Sequence, residues 1–315
     1  MLNRRNIRSK VMQAAFAMQQ SGSDNLPQQE KLLFLSFDNI YKLYILQLLL
    51  LVELKKKAEE EIQIGLQKNF PTEEEKNPNY KFVNNQILNL LENNTFLNEY
   101  KKKYKLDKWE LDKELVNLIW KKLKNSRLYK QYMAYNKQTF QQDKEFVLEL
   151  YKNFIAPEVK LHESYEADES HWADDIAIAN TLVMKTISAL KENTPFYNLP
   201  ALFKDEMDKE FAKDLFRKII LNDEKLAGLL KGKTPNWEYD RISEIDKLIM
   251  KMGITEFLFF PSIPPNVSIN EYVEIAKEFS TPKSNVFING VLHNVLKDLQ
   301  KKGELQKNAR GALKK

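Results

Sequence analysis

The feature that most constrains this chain is the run from Leu43 to Leu54, LYILQLLLLVEL, which sits inside a longer helical pattern from about residue 28 to 68. A helix that is apolar on every side must be surrounded, by lipid or by the rest of its own protein. The run is shorter than the roughly 20 residues a membrane span needs, and it leads into Glu53, Lys55, Lys56 and Lys57. The expectation is a buried helix and no membrane. With 315 residues the chain has length enough for one large or two ordinary domains, so this helix can be enclosed without disulfide or metal.

The rest of the chain agrees on helices. Only 8 Gly accompany 43% hydrophobic and 30% charged residues, a balance suited to long amphipathic helices rather than turn-rich sheet, so the fold class is all-α. Helical spacing is expected over 3–20, 82–103, 107–126, 128–138, 143–155 and 171–192. An acidic, polar connection is expected over 73–79, and the Pro and Asn cluster from Asn193 through Pro195 to Pro200 marks a boundary. Beyond Leu202 the signals are regular. Ile242, Ile245, Leu248, Ile249 and Met252 form one apolar face, and Pro261, Pro264 and Pro265 interrupt the chain after it. Ser268 with Glu271 reads as a capping box opening the next helix, whose inner face is Ile269, Tyr272, Val273, Ala276 and Phe279. Ser284 reads as the cap of a last helix, with Phe287, Ile288, Val291, Val295 and Leu299 facing inward.

A shift of 65 positions aligns Asp143, Lys144, Glu145 and Phe146 with Asp208, Lys209, Glu210 and Phe211. The same shift pairs Leu150 with Leu215, Leu161 with Leu226, Trp172 with Trp237 and Asp175 with Asp240. Two readings stand: a partial internal repeat over 143–190, or the chance agreement of amphipathic helices.

Chemistry is conspicuous by omission. Zero cysteines remove disulfides, thiolate nucleophiles and Cys-ligated zinc, which fits a reducing cytoplasm. The opening MLNRRNIRSKVMQ has no apolar stretch after its cations and is not a signal peptide. No phosphate loop, dinucleotide fingerprint or nucleophile elbow occurs, so no enzyme and no cofactor is expected. The segment HESYEADESHWADD, His162 to Asp175, matches no metal-site spacing and reads as an acidic solvated loop.

Net charge of +5 is too small to imply nucleic acid, so placement matters more. Lys297, Lys301, Lys302, Lys307, Arg310, Lys314 and Lys315 make a basic tail over 301–315 and the helix before it, read as a solvated end. At the other terminus Ile7, Val11, Ala14 and Met18 define a buried stripe, and Arg4, Arg5 and Arg8 occupy an arc of about 100° beside it. Guanidinium forks suit phosphate oxygens. A phosphate-reading helix and a merely charged first turn are both open on these residues alone.

Several blocks then resemble the NusB family of transcription antitermination factors. They are FAKDLFRKII at 211–220, Trp237 with RISEIDKLIMKMGITEFL from Arg241, IPPNVSINEYVEIAKEFS from Ile263, and KSNVFINGVLHNVL from Lys283. The N-terminal RRNIRSKVMQAAFAMQ is similar to the family's arginine-rich first helix. The resemblance implies a helical bundle of two subdomains with a large helical insertion: the first helix in 1–20, the insertion in 21–201 and the C-terminal bundle in 202–300. It also implies a binding activity with no reaction. The expected partners are boxA RNA, the ribosomal protein NusE, and the RNA polymerase elongation complex with other Nus factors on ribosomal RNA operons.

Residue by residue, the resemblance assigns RNA contact to Arg4, Arg5, Arg8, Gln13 and Phe16, and to Lys283, Ser284, Phe287 and Asn289. Asp246 falls where the family has an acidic residue near the NusE interface. Lys283 and Val286 depart from the family pattern, which often has an acidic and a basic residue there. Phe287 lies on the apolar stripe and also reads as core, Asn289 also reads as a bridge between helices, and Gly290 reads as a close helix contact. Two other functions fit parts of this pattern: a protein-binding scaffold without RNA affinity, and an accessory domain like that of ribosomal RNA cytosine methyltransferases. The second requires a following catalytic domain with a cysteine.

Overall fold

A computed structural model describes residues 1–135, 137–194, 196, 198–233 and 239–312. Pro195, Trp237, Lys314 and Lys315, named above, lie outside the described residues. Among the described residues there are sixteen α-helices and no strand, so the fold is all-α. In chain order they begin with α1 (Arg4–Ser21), α2 (Leu26–Leu66), α3 (Glu73–Lys76), α4 (Gln86–Glu92), α5 (Thr95–Tyr104), α6 (Lys108–Leu111), α7 (Lys113–Asn125) and α8 (Arg127–Met133). They continue with α9 (Phe140–Leu150), α10 (Val159–Asp168), α11 (Trp172–Ala189), α12 (Glu206–Leu221), α13 (Asp223–Leu230), α14 (Glu244–Phe259), α15 (Pro265–Phe279) and α16 (Ser284–Lys301). The chain divides into two compact units, one of Met1 with Asp38–Leu202 and one of Leu2–Phe37 with Phe203–Lys315.

The 38–202 unit is built on the apolar run. From Leu43 to Leu54 every α2 residue but Glu53 is buried. By length and composition α2 is able to cross a membrane, yet 72% of its most apolar window is buried within the protein, which makes it a core helix. The polar groups that enter this core have partners. Gln47 donates to Asn180 Oδ1 at 3.0 Å and accepts from the Tyr151 hydroxyl at 2.8 Å. The indoles of Trp109 and Trp172 donate to the α2 carbonyls of Leu46 and Asn39. Each of these bonds removes the penalty of a buried unpaired donor.

Local capping divides what periodicity leaves whole. The expected 82–103 helix breaks because Asn94 accepts the Leu97 amide and starts α5, just as Asn85 starts α4. The expected 107–126 helix breaks at Asp112, whose carboxylate accepts the Leu115 amide. The acidic segment after His162 is not a solvated loop: its first half is α10, held by the buried pair Leu161 and Tyr165 one helical turn apart. No group of three or more His, Cys, Asp and Glu placed to hold a metal ion occurs among the described residues. Three successive helices occur in both shifted segments. Residues 140–155, α10 and α11 stand in the first, and α12, α13 and α14 in the second. Asp143 and Asp208 are both buried first-turn residues, but Asp143 receives the Gln86 amide and the Tyr132 hydroxyl, whereas Asp208 receives Arg4.

In the other unit α14 is central. Every residue from Asp246 to Phe257 is buried, because α1, α12, α13, α15 and α16 all pack on it. Gly253 lets α16 approach: a Cβ there would stand 2.9 Å from Leu292 Cδ2 and 3.4 Å from Tyr272 Cδ2. Gly290, the expected close contact, instead faces open space. The α1 stripe is Ile7, Val11, Met12, Ala15 and Met18, with Ala15 fully buried in place of Ala14. Gly22 at φ +62° ends that helix in the left-handed region a glycine tolerates. Two expected caps are corrected. The helix α15 starts earlier, at Pro265, which needs no amide hydrogen at a first helical position, so Ser268 lies inside it. The Ser284 side chain caps nothing and is drawn into α14 contacts.

Candidate nucleic-acid interface

Asn3 sets the geometry of the arginine helix. Its side chain accepts the Asn6 amide at 2.8 Å while Asn6 returns the bond to the Asn3 amide at 3.2 Å, fixing where α1 begins and which way Arg4, Arg5 and Arg8 project. Their environments differ sharply. Arg4 donates to Asp208 at 2.9 Å and lies over the Phe211 ring, with 39% of its side chain exposed. Arg5 makes a two-pronged pair with Glu271, both bonds 3.0 Å, and remains 43% exposed; the pair raises its pKa.

Arg8 is only 3% exposed. It grips Glu256 with bonds of 2.6 and 3.1 Å, and the same fully buried carboxylate accepts from Ser268 Oγ at 2.6 Å and from the Tyr272 hydroxyl at 2.8 Å. Burial alone pushes the Arg8 pKa down, but the Glu256 charge and hydrogen bonds more than reverse it, so the net shift is upward. The charge on Arg8 is therefore fixed and internal.

The exposed edges of Arg4 and Arg5 open onto a groove of about 690 Å³, walled by Ile263, Pro264 and Val267 and touched by Arg8. Its fourth guanidinium is Arg310. The described basic tail is largely exposed but is pinned to the bundle at Lys307, Asn308 and Gly311. Lys307 donates to the carbonyls of Glu256 and Phe260, both at 2.9 Å, and the Asn308 amide donates to Pro261 O. Burial pushes the Lys307 pKa down to about 8.

The remaining site residues form a second cluster in this unit. Asp246, in the first turn of α14, accepts from Ser280 Oγ at 2.6 Å and from Ser284 Oγ at 2.9 Å, and Thr281 bonds Ser284 in turn. A carboxylate there is favoured by the helix N-terminus as well. Asp246 and Ser284, assigned to different partners, thus share one buried lock between α14 and α16. Around it Lys283, Val286 and Asn289 are exposed and Phe287 is half-buried. Gln13 and Phe16, further along α1, are half-buried too.

Sequence reasoning missed Glu256, Glu271, Asp208 and Arg310 as members of these clusters. One signal was present: a lone carboxylate in ITEFLF, a stretch otherwise apolar around the helix, requires a cationic partner once buried. Nothing local marks Arg310.

Comparison with known proteins places the bundle. The family model described as NusB family matches residues 177–297. The transcription antitermination protein NusB of Salinibacter ruber (strain DSM 13855 / M31) is 40% identical over 112 residues, 36% of this chain and 70% of that protein. The protein of the same name in Methylacidiphilum infernorum (isolate V4) is 43% identical over 98 residues, 31% of this chain and 68% of that protein. No solved structure matches. Since the family match takes in α12, α13, α14, α15 and most of α16, and the chain covers more than two thirds of these relatives at 40% identity or more, this chain belongs to the NusB family.

Proposed function

We propose that the protein is a transcription antitermination factor that binds boxA-type single-stranded RNA jointly with NusE, within the RNA polymerase elongation complex, and so supports transcription of ribosomal RNA operons. On this reading it works in the cytoplasm, by binding, with no reaction of its own. The observation that carries the reading is the groove beside α1, where guanidinium edges and an apolar wall meet. A guanidinium has five N–H donors, and Glu271 takes two of those on Arg5. The carboxylates therefore orient Arg4 and Arg5 and leave donors for phosphate oxygens, while Ile263, Pro264 and Val267 offer a surface for unstacked bases.

The roles of the other residues follow from their burial. Arg8 acts as an internal brace that holds α1 on α14 and α15. Asp246 and Ser284 act by shaping the start of α16, and Lys283, Phe287 and Asn289 supply the contact surface there. Gln13 and Phe16 extend the α1 side of the RNA path. The RNA-binding part is thus assigned to 2–37 with 203–312, and 38–202 to the insertion.

Fluorescence anisotropy of labelled boxA-like RNA and a scrambled control, with and without NusE and across a salt series, tests this. Expected are weakening as salt rises and tighter, selective binding when NusE is present. Equal affinity for both RNAs under every condition would overturn the assignment.

A further inference from the structure

The four arginines of the groove are not equivalent. Arg4 is engaged by Asp208, Arg5 by Glu271 and Glu274, and Arg8 by Glu256. Among the described residues no carboxylate lies within ion-pair distance of Arg310, although its side chain lines the same groove and the residue is exposed. A surface guanidinium with no counter-ion among the described residues, beside three that are already paired, is where an incoming anion displaces none of the described bonds.

Its position is built, not incidental. Just past the end of the last helix at Lys301, Gly303 with a φ of +68° turns the chain while the Glu304 amide donates to Leu299 O. Residues 304–312 then run back as a strap to the C-terminal end of α14. Lys307 there adds a second donor to the Glu256 and Phe260 carbonyls, which already accept the Phe260 and Ile263 amides, and the Asn308 amide donates to Pro261 O. Gly311 packs so tightly on the Pro261 carbonyl that any side chain would overlap the oxygen. The Gly311 amide is held by Asn308 Oδ1 and the Ala312 amide by Asn308 O, so Arg310 sits inside a turn closed on both sides. The strap lies beyond the residues matched by the family model, which end at 297.

We infer that Arg310, delivered by this strap, is a phosphate-binding residue of the groove, its ligand a phosphodiester of single-stranded RNA; the inference rests on the RNA-binding reading above. Arg310 supplies a fork that no carboxylate among the described residues engages, while the apolar wall and the edges of Arg4 and Arg5 flank the strand.

Two measurements on the full chain test it. In RNA anisotropy across a salt series, Arg310→Ala should weaken binding roughly two- to fivefold and lower the salt slope by about 0.7, the contribution of one phosphate contact on a single strand. Arg310→Lys should recover part of the affinity, and Gly311→Val, which displaces the strap, should behave like Arg310→Ala. In arginine-labelled protein the Arg310 Nε–Hε resonance should shift as inorganic phosphate is added. Unchanged affinity and slope in Arg310→Ala, with Arg4→Ala or Arg5→Ala weakened, would overturn the inference and leave the RNA reading standing. A phosphate-dependent shift without preference for boxA-like over scrambled RNA would support the Arg310 site and remove the boxA assignment. No shift with phosphate would overturn the inference whatever the RNA result.

Discussion

Replacing Arg8 by methionine should destabilise the 2–37 with 203–312 unit far more than an N-terminal surface arginine can. In the native protein the Glu256 carboxylate is fully buried and has three donors, of which Arg8 alone is charged. Methionine keeps much of the side-chain volume but leaves an uncompensated charge facing two hydroxyls. Removing one partner of a buried ion pair costs about 3–5 kcal/mol, a large share of the roughly 5–15 kcal/mol that stabilises a typical protein. The double variant Arg8→Met with Glu256→Gln removes the stranded charge, keeps one acceptor oxygen for one of the two hydroxyls and offers the other hydroxyl an amide donor, so it should regain at least half of the loss. Urea titrations read by hydrogen exchange on α14, α15 and α16 peptides localise the effect to this unit. A single-variant loss below about 1 kcal/mol, the range of exposed pairs, would refute the argument, and so would a double variant no more stable than the single one. The RNA salt slope should be unchanged in the folded double variant, since a guanidinium 3% exposed releases no counterions.

Other expectations follow from neighbouring geometry. Gly290→Ala should stabilise the protein by about 1 kcal/mol, since the position is helical and open, whereas Gly253→Ala should destabilise it, since overpacking costs about 1–3 kcal/mol and Leu292 is buried against it; denaturation midpoints of opposite sign check both. Asp143→Ala removes acceptors from the Gln86 amide, Tyr132 and Gln138, and should destabilise the 38–202 unit by about 2–4 kcal/mol, read by the fluorescence of Trp109, Trp120 and Trp172. Lys307 should titrate near pH 8 in a 13C-lysine NMR series. Its docked pKa lies below the ordinary value of 10.5, so a released strap binds the proton more tightly. Docking should therefore strengthen as pH rises from about 8 toward 10.5 and be weakest below 8; an Lys307 resonance that titrates with the other lysines would contradict this.

The helices were legible wherever one periodic face dominated. The buried run in α2 and most of the expected inner positions of α15 and α16 follow from spacing, but Val273, Phe279 and Phe287 are only half-buried, and α14 is buried on every side from Asp246 to Phe257. Breaks at Asn94 and Asp112 were not legible, because a capping side chain outweighs continued periodicity only when tertiary packing lets the chain turn there. Placing Ser268 at a cap failed for a related reason: Pro265 had already started the helix, which freed the hydroxyl for Glu256. Arg4, Arg5 and Arg8 were correctly gathered on one arc, but periodicity cannot say which of three adjacent cations is drawn inward. Their separation depends on Asp208, Glu271 and Glu256, which are more than 200 residues away. Arg310 was hidden more deeply, since only the fold returns a tail to the groove.

That separation also bears on how the protein is made. Arg8 and Glu256 are 248 positions apart. With bacterial-type synthesis at about 5–20 residues per second, α1 leaves the ribosome roughly 10–50 seconds before the helix that neutralises it. In that interval its apolar stripe has no partner from the C-terminal helices, while the segment 38–202 is complete and able to close on its own core. The arginine helix, synthesised well before its partners, is thus secured only late, and a chain released before Glu256 would carry an exposed arginine helix and a finished insertion.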